Sequence, residues 1–217
     1  MSETKKLKTK DKILVEAIRL YNEFGIQNVT SRHIAGEMGI SHGNLDYHYK
    51  TKEDIILAIY KKMRVEMSNS YGGRKVGMSS LEHFHLLLLQ LEEFQYKFRF
   101  FNLDVLEVSR SYPTVSQIIQ ETFVKRRQTT IDLFKEFIKD GYMRELDLPA
   151  IERLEHTIRM VITFWLSQRE VMVSYNFTEK GEMIKTIYSL INPYLTEEGF
   201  REQKRATELF GLRLSPQ

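Results

Sequence analysis

Residues 30–57 read TSRHIAGEMGISHGNLDYHYKTKEDIIL, and this stretch decides how the N-terminal part of the chain folds. Thr30 or Ser31 offers a side-chain oxygen to the first free N–H groups of a helix that runs to about Met38. Gly39 follows, a residue that tolerates the positive φ of a tight turn. Ser41 is a natural N-cap for a short helix from His42 to Tyr49, and Thr51 opens another with Glu53 and Asp54 in its first turn. The Thr-x-x-Asp spacing resembles a capping box, and acids there suit the positive end of a helix. Two short helices joined by a tight turn, then a longer one, are the layout of a helix-turn-helix. That motif sets its second helix in the major groove of DNA.

Outward from this stretch the pattern stays helical. An amphipathic helix precedes it, near Thr9 to Phe24, with Ile13, Leu14, Ala17, Ile18, Tyr21 and Phe24 on one stripe and Gly25 at its end. The helix opened by Thr51 is expected to reach about Ser68, and SYGGRKVG at 70–77 is a breaker cluster and hinge. Ser79 to Glu82 repeats the capping spacing before a helix from Leu81 to about Tyr96. That helix is apolar nearly all round, which predicts a place at the centre of a bundle. One helix is expected over Phe98 to Arg110, a long one from Thr114 to about Asp140, another from Asp147 and Pro149 to about Val173, and one over Gly181 to Leu195. The tail after Thr196 has weak helical character, and no strand pattern or internal repeat is present. The expected class is all-α: a three-helix N-terminal helix-turn-helix domain and a larger C-terminal helical bundle, about nine helices in all. The division falls as 1–55, linked by helix 52–68, and 56–217.

The chain has 217 residues, 42% of them apolar, enough for one sizeable core or for two domains sharing an interface. Net charge is only +3, so DNA binding must come from a local patch rather than a basic coat. Lys5, Lys6, Lys8, Lys10 and Lys12 supply one, whether as a solvated tail or as an arm that touches phosphate. The absence of cysteine removes disulfides and thiolate metal sites and fits a reducing compartment. No apolar run follows the N-terminal lysines, and no apolar stretch reaches the ~20 residues of a membrane span. The expected location is the cytoplasm, with no membrane partner.

Residues Val29 to Ile56, together with the first helix and its Phe24-Gly25 ending, resemble the N-terminal domain of TetR-family (tetracycline-repressor-like) transcriptional regulators. The matching positions are Thr30, Arg32, Ile34, Ala35, Glu37, Gly39, Ile40, Ser41, Gly43, Leu45, Tyr49, Lys50, Lys52, Glu53 and Ile55, in order and without gaps. The resemblance implies a DNA reader in which Ile34, Ala35, Ile40 and Leu45 form the small core between crossing helices. His42 and Asn44 would reach base edges, with Tyr47 beside them, and Gly43 would leave room for the DNA. Thr30, Ser31, Arg32, Ser41, Tyr47, His48 and Lys52 would touch the backbone around the groove. It also implies a C-terminal ligand-binding and dimerisation body, and a fourth helix that moves when ligand binds. The sequence departs from the family at Asp46, where an aromatic is usual, and at His42, where lysine is common. An acid among phosphates must face away or accept from cytosine N4.

Other constellations carry less. His83 and His85 point to different sides of a helix, and Glu152 with His156 lacks a third ligand, so no metal or cofactor is expected. Phe84, Leu88, Phe101, Phe123, Phe134 and Trp165 are candidate walls of a pocket for an apolar or amphipathic effector, with Arg99, Asn102, Arg126, Arg127, Gln168 and Arg169 interrupting the apolar stripes. Ordinary core is an equal reading for each aromatic, and the arginines are expected to face outward. The apolar excess of the helices over 150–173 and 181–194 predicts a two-fold homodimer. The best reading is a sequence-specific transcriptional regulator, a repressor released from a palindromic operator by its ligand, and not an enzyme. The alternatives are an all-helical metal-dependent enzyme, which needs paired acids and histidines, and a ligand-independent DNA-organising protein, which should be more basic.

Overall fold

Several helices in this protein begin where a side chain accepts from their first N–H groups. The computed structural model describes residues 8–70, 73–172, 174, 177 and 179–212, without the side chains at 69 and 70. After α1 (Thr9–Phe24), Thr30 Oγ1 accepts from His33 N at 3.2 Å and opens α2 (Ser31–Glu37), and Ser41 Oγ accepts from Asn44 N at 3.2 Å and opens α3 (His42–His48). Thr51 and Asp54 exchange bonds of 2.9 and 3.1 Å ahead of α4 (Lys52–Ser70). Ser79 and Glu82 do the same at 2.8 and 3.0 Å ahead of α5 (Ser80–Lys97). Both capping boxes stand where their spacing predicts. The chain continues with α6 (Arg99–Leu103), α7 (Val105–Ser111), α8 (Pro113–Lys139), α9 (Leu148–Val171), α10 (Glu182–Ile191), a 3-10 turn (Asn192–Tyr194) and α11 (Glu197–Phe210). Among the described residues there is no strand, only an isolated bridge between Met143 and Leu195, and no helix long and apolar enough to cross a membrane.

Among the described residues eleven α-helices stand where about nine are expected, for two reasons. The helix expected over Phe98 to Arg110 breaks at Asp104, which sits at φ −100°, ψ 19°. Nothing in the local sequence marks the break. The Asp104 carboxylate instead accepts from Ile26 N at 2.8 Å, a bond that spans much of the chain. The tail after Thr196 forms α11, whose buried face is Gly199, Glu202 and Ala206. Small and polar residues at helical spacing make a poor hydrophobic stripe, so the pattern reads as weak.

The described residues pack as two compact units, one within 1–67 and 98–119, the other within 68–97 and 120–217. In the first, Ile13, Leu14, Ala17, Leu20 and Tyr21 of α1 meet Ile34, Ala35, Leu45, Ile55, Ile56 and Ile59 in the core. Leu20 is buried where Phe24 was expected, and Phe24 is exposed beside the His33 ring. Asn22 holds α6 against the end of α1: its Oδ1 accepts from Phe100 N at 3.1 Å and its backbone oxygen from Arg99 Nε at 2.9 Å. Phe100 lies 5.4 Å from the Tyr21 ring, and Phe101 stacks on Tyr60 at 5.1 Å.

In the second unit α5 is the central helix, as its all-round apolar sequence predicts, and α10 and α11 pack on it. Phe84 contacts the rings of Phe134, Phe137 and Tyr188. His85 is fully buried, 2.7 Å from Tyr188 Oη and 2.6 Å from the Gly211 carbonyl oxygen that follows α11. Burial holds its pKa below the usual imidazole value, against the pull of the Gly211 carbonyl. Glu92 is also buried, and both its oxygens accept from Gly181 N at 2.9 Å ahead of α10. Burial raises its pKa, and that N–H opposes the rise.

The start of α11 is tied down closely. Thr196 N donates to the Tyr142 carbonyl at 3.0 Å and Thr196 Oγ1 to the Gly141 carbonyl at 2.7 Å. A Cβ at Gly199 would lie 2.0 Å from the Tyr142 oxygen, a contact only glycine avoids. Gly199→Ala is therefore expected to destabilise the protein by about 3 kcal/mol or more, because backbone rather than a flexible side chain must move. Thermal unfolding of the variant with an unchanged midpoint would show that this packing does not matter.

Candidate nucleic-acid interface

Seven residues make too short a helix to be stable alone, so α3 must be held from outside. The turn before it supplies the first restraint. Gly39 takes φ +63°, and Ile40 N donates back to the Ala35 carbonyl at 3.0 Å. Leu45 is the second: it is wholly buried, with Ile34 and Ala35, while Ile40 is half-buried. Tyr49 is the third, buried under Lys10, whose Nζ lies 5.4 Å from its ring centroid. Desolvation by burial pushes the Tyr49 phenol up to about 12, with Asp11 adding to it.

With Leu45 inward, the rest of α3 turns outward. Ser41, His42, Gly43, Asn44 and Tyr47 are exposed, and His48 is half-buried with its ring 5.2 Å from that of Tyr47. Tyr47 is 85% exposed, a large ring that the fold itself does not use. Thr30 and Arg32 are exposed at the start of α2, and Ser31 is half-buried. The Thr30 and Ser41 hydroxyls accept from backbone as caps and each keeps an O–H to donate to a phosphate. The candidate DNA contacts of α2 and α3 are thus exposed or half-buried, one by one.

Lys52 is placed differently. Its Nζ donates to the Ile26 carbonyl oxygen and lies 6.0 Å from the Tyr21 ring centroid. Burial lowers its pKa, with Glu107 and Asp104 partly opposing this. Lys52 therefore braces α4 against the α1–α2 loop, a role its spacing in the sequence does not reveal. Neighbouring Glu53 accepts from Thr114 N at 3.1 Å, so α4 supplies a cap to the N-terminus of α8. Of the N-terminal lysines, Lys8, Lys10 and Lys12 are exposed, and Lys5 and Lys6 lie outside the described residues.

Asp46 is the residue whose place the sequence leaves open. Its Oδ2 lies 3.1 Å from His42 Nδ1, one helical turn back. The i,i+4 spacing was the available signal.

Comparison with known proteins agrees with this geometry. Residues 13–59 match the model described as bacterial regulatory proteins, tetR family, and residues 60–202 match a second described as bacterial transcriptional repressor. The chain belongs to the TetR family. A TetR-family transcriptional regulator from Marinobacter aquaeolei VT8 is 26% identical, with 95% of this chain and 100% of that one covered and a TM-score of 0.83. A transcriptional regulator from Saccharomonospora viridis, solved in complex with choline, is 21% identical over 87% of this chain and 97% of its own, with a TM-score of 0.71. CprB from S. coelicolor A3(2) is 20% identical over 93% and 96%, with a TM-score of 0.69. The protein is a transcriptional regulator with a helix-turn-helix DNA-binding domain and a C-terminal ligand-binding domain.

In this TetR-family body the six candidate pocket residues divide. Phe84, Leu88, Phe134 and Trp165 are buried in the second unit and Phe123 is half-buried there, whereas Phe101 belongs to the first unit against Tyr60 and Phe100. The arginines find protein partners. Arg99 bonds Asn22, Arg127 pairs with Glu152 at 2.8 Å, and Arg169 bonds Tyr96 Oη. Sequence reasoning missed Gln95, an amide buried on α5, because nothing in the pattern separates it from the other polar residues of that helix.

Gly43 has no reason to be glycine within the protein. Its φ is not positive, and a Cβ there would meet no heavy atom within 4 Å. Gly43→Ala is expected to stabilise α3 by about 0.5–1 kcal/mol while weakening DNA binding, since the methyl group would project toward the groove. Thermal melts and titration against a selected operator check both signs. Unchanged affinity would leave the glycine without a role at the DNA surface.

Proposed function

We propose that the protein is a dimeric repressor that binds a palindromic operator in the cytoplasm and is released when a small apolar or amphipathic molecule enters its helical body. The outward row of His42, Asn44 and Tyr47 on α3, seated by buried Leu45, carries the DNA-reading part. Asn44 suits adenine, and the N-terminal residues of a recognition helix are those that meet base edges. Thr30, Ser31, Arg32, Ser41 and His48 surround this row as backbone contacts. Lys52 would add charge from the rim as well as bracing the reader.

Support for a dimer comes from α9. Its Ile158, Trp165 and Leu166 are buried, yet Met160 and Phe164, one turn apart, are 46% and 45% exposed. α10 adds less than its sequence suggests, because Met183, Ile184, Ile187 and Ile191 are buried within its own unit, leaving Lys185 and Ser189 exposed. A two-fold pairing along α9 would give two readers and hence a palindromic site.

Support for an effector comes from two buried polar groups that lack partners. Gln95 Nε2 donates to the Ile162 carbonyl at 2.6 Å, which fixes the amide's orientation and leaves Oε1 unpaired. Trp165, three residues beyond Ile162 on α9, has an unpaired Nε1–H. The two side chains are 2% and 6% exposed. A leftover acceptor on α5 and a leftover donor on α9 suit a molecule with a hydroxyl or amide group in an otherwise apolar setting. The S. viridis neighbour binds choline, which shows that this fold accepts small molecules in one of its members.

Selection of DNA from a random pool, followed by titration of the selected site, tests the whole reading. Phe164→Glu is expected to convert the dimer to monomer by sedimentation and to lower operator affinity by tenfold or more, with helical content retained. A monomeric wild type with full affinity would overturn the dimer. Asn44→Ala should cost about 1–3 kcal/mol at the selected site and relax one position of it. For the effector, ligands that quench the single Trp165 should lower operator affinity about 5–150-fold, corresponding to ~1–3 kcal/mol of coupling. Saturable quenching that never alters DNA binding would sink the release mechanism.

A further inference from the structure

Asp46 is the only acid in α3, the helix with the outward DNA-reading row. A carboxylate pointing at phosphates would oppose binding, and one held against a partner would not. Its partner is His42: Oδ2 lies 3.1 Å from Nδ1, with the two side chains 41% and 42% exposed. An ionised carboxylate has no proton to give, so a hydrogen bond across this contact requires the proton to sit on Nδ1. In a neutral imidazole that leaves Nε2, the far nitrogen, as a bare acceptor.

We propose that Asp46 is a positioning residue that fixes the tautomer of His42 and thereby sets which base His42 can read. This rests on the proposal above that His42 reaches the bases. With Nδ1 carrying the proton, Nε2 accepts and matches an exocyclic amino group, adenine N6 or cytosine N4. It does not match the N7 and O6 acceptors of guanine. His42 is the first residue of α3, at the end from which recognition helices meet base edges. Asn44 is exposed beside it, so the pair selects one base among several contacts. The same bond turns the charge of Asp46 toward the imidazole, which accounts for an acid being tolerated there.

The test uses the full-length protein. Long-range proton–nitrogen NMR on the free protein reads the tautomer directly. Wild type is expected to carry the His42 proton on Nδ1, and Asp46→Ala to shift population to Nε2. In parallel, DNA selection with wild type, Asp46→Ala, His42→Ala and the double variant reads the base preference. Wild type should favour adenine or cytosine on the contacted strand at one half-site position. Asp46→Ala should reduce that preference about two- to tenfold, the scale of one neutral hydrogen bond, and admit guanine. In the His42→Ala background, removing Asp46 should change nothing further at that position. An Asp46 effect that persists without His42 would mean the carboxylate contacts the base itself and would overturn the proposal. So would an Asp46→Ala protein that binds every sequence more tightly with its preferences intact, or an unchanged tautomer. If wild type selects no sequence at all, the regulator reading fails and this one with it. If it selects an operator whose preferred bases survive Asp46→Ala, only this inference falls.

Discussion

The reading surface of this protein depends on the burial of one side chain. α3 has seven residues, and Leu45 is the one it sinks into the core. At ~2–3 kcal/mol for a fully buried leucine, that anchor exceeds anything so short a helix gains from its own hydrogen bonds. Ser41 and Tyr49 fix the two ends, by a cap and by burial. Once Leu45 points inward, helix geometry turns Gly43, Asn44 and Tyr47 outward, and His42, at the first position of α3, is exposed as well. The DNA surface is what remains of a helix after its anchor has been chosen.

The unit that contains this helix is not one run of the chain. Residues 98–119 pack with the N-terminal helices, held by Asn22, Asp104 and the Tyr21–Phe100 contact. These bonds include buried or half-buried backbone N–H groups that would otherwise lack partners, so the segment is not easily detached. The chain passes from one unit to the other at 67/68, 97/98 and 119/120, and at the first and last of these it does so inside the continuous helices α4 and α8. A ligand couples to DNA only through a difference in its affinity for two states. Within the first unit, Glu53 joins α4 to α8 by accepting from Thr114 N.

The second unit holds polar groups in unusually dry places. His85 bridges Tyr188 and the end of α11, Glu92 receives Gly181 N with both oxygens, and Gln95 uses only half of its amide. The first two are satisfied within the protein and specify how α10 and α11 seat on α5. Gln95 and Trp165 keep unpaired polar atoms, and the physical cost of burying such groups makes them candidate ligand anchors.

Sequence alone determined the elements that depend on neighbours along the chain. The caps at Thr30, Ser41, Thr51 and Ser79, the turn at Gly39 and the central place of α5 all follow from spacing and side-chain chemistry, while the inward Leu45 follows from the family resemblance. They were legible because a helix start is a contact over three residues and an apolar face repeats within a few turns. Tertiary structure decided the features whose partners are far away. The break at Asp104 answers Ile26, Gly199 answers the backbone of Tyr142, Lys52 turns to Ile26 and Phe101 to Tyr60. α11 escaped notice because its buried face is small rather than apolar, a need that exists only once another helix lies against it. Local pattern encodes which segments are helices and which face is oily. Which face meets which partner is set by long-range packing, and no window of the sequence contains both sides of that contact.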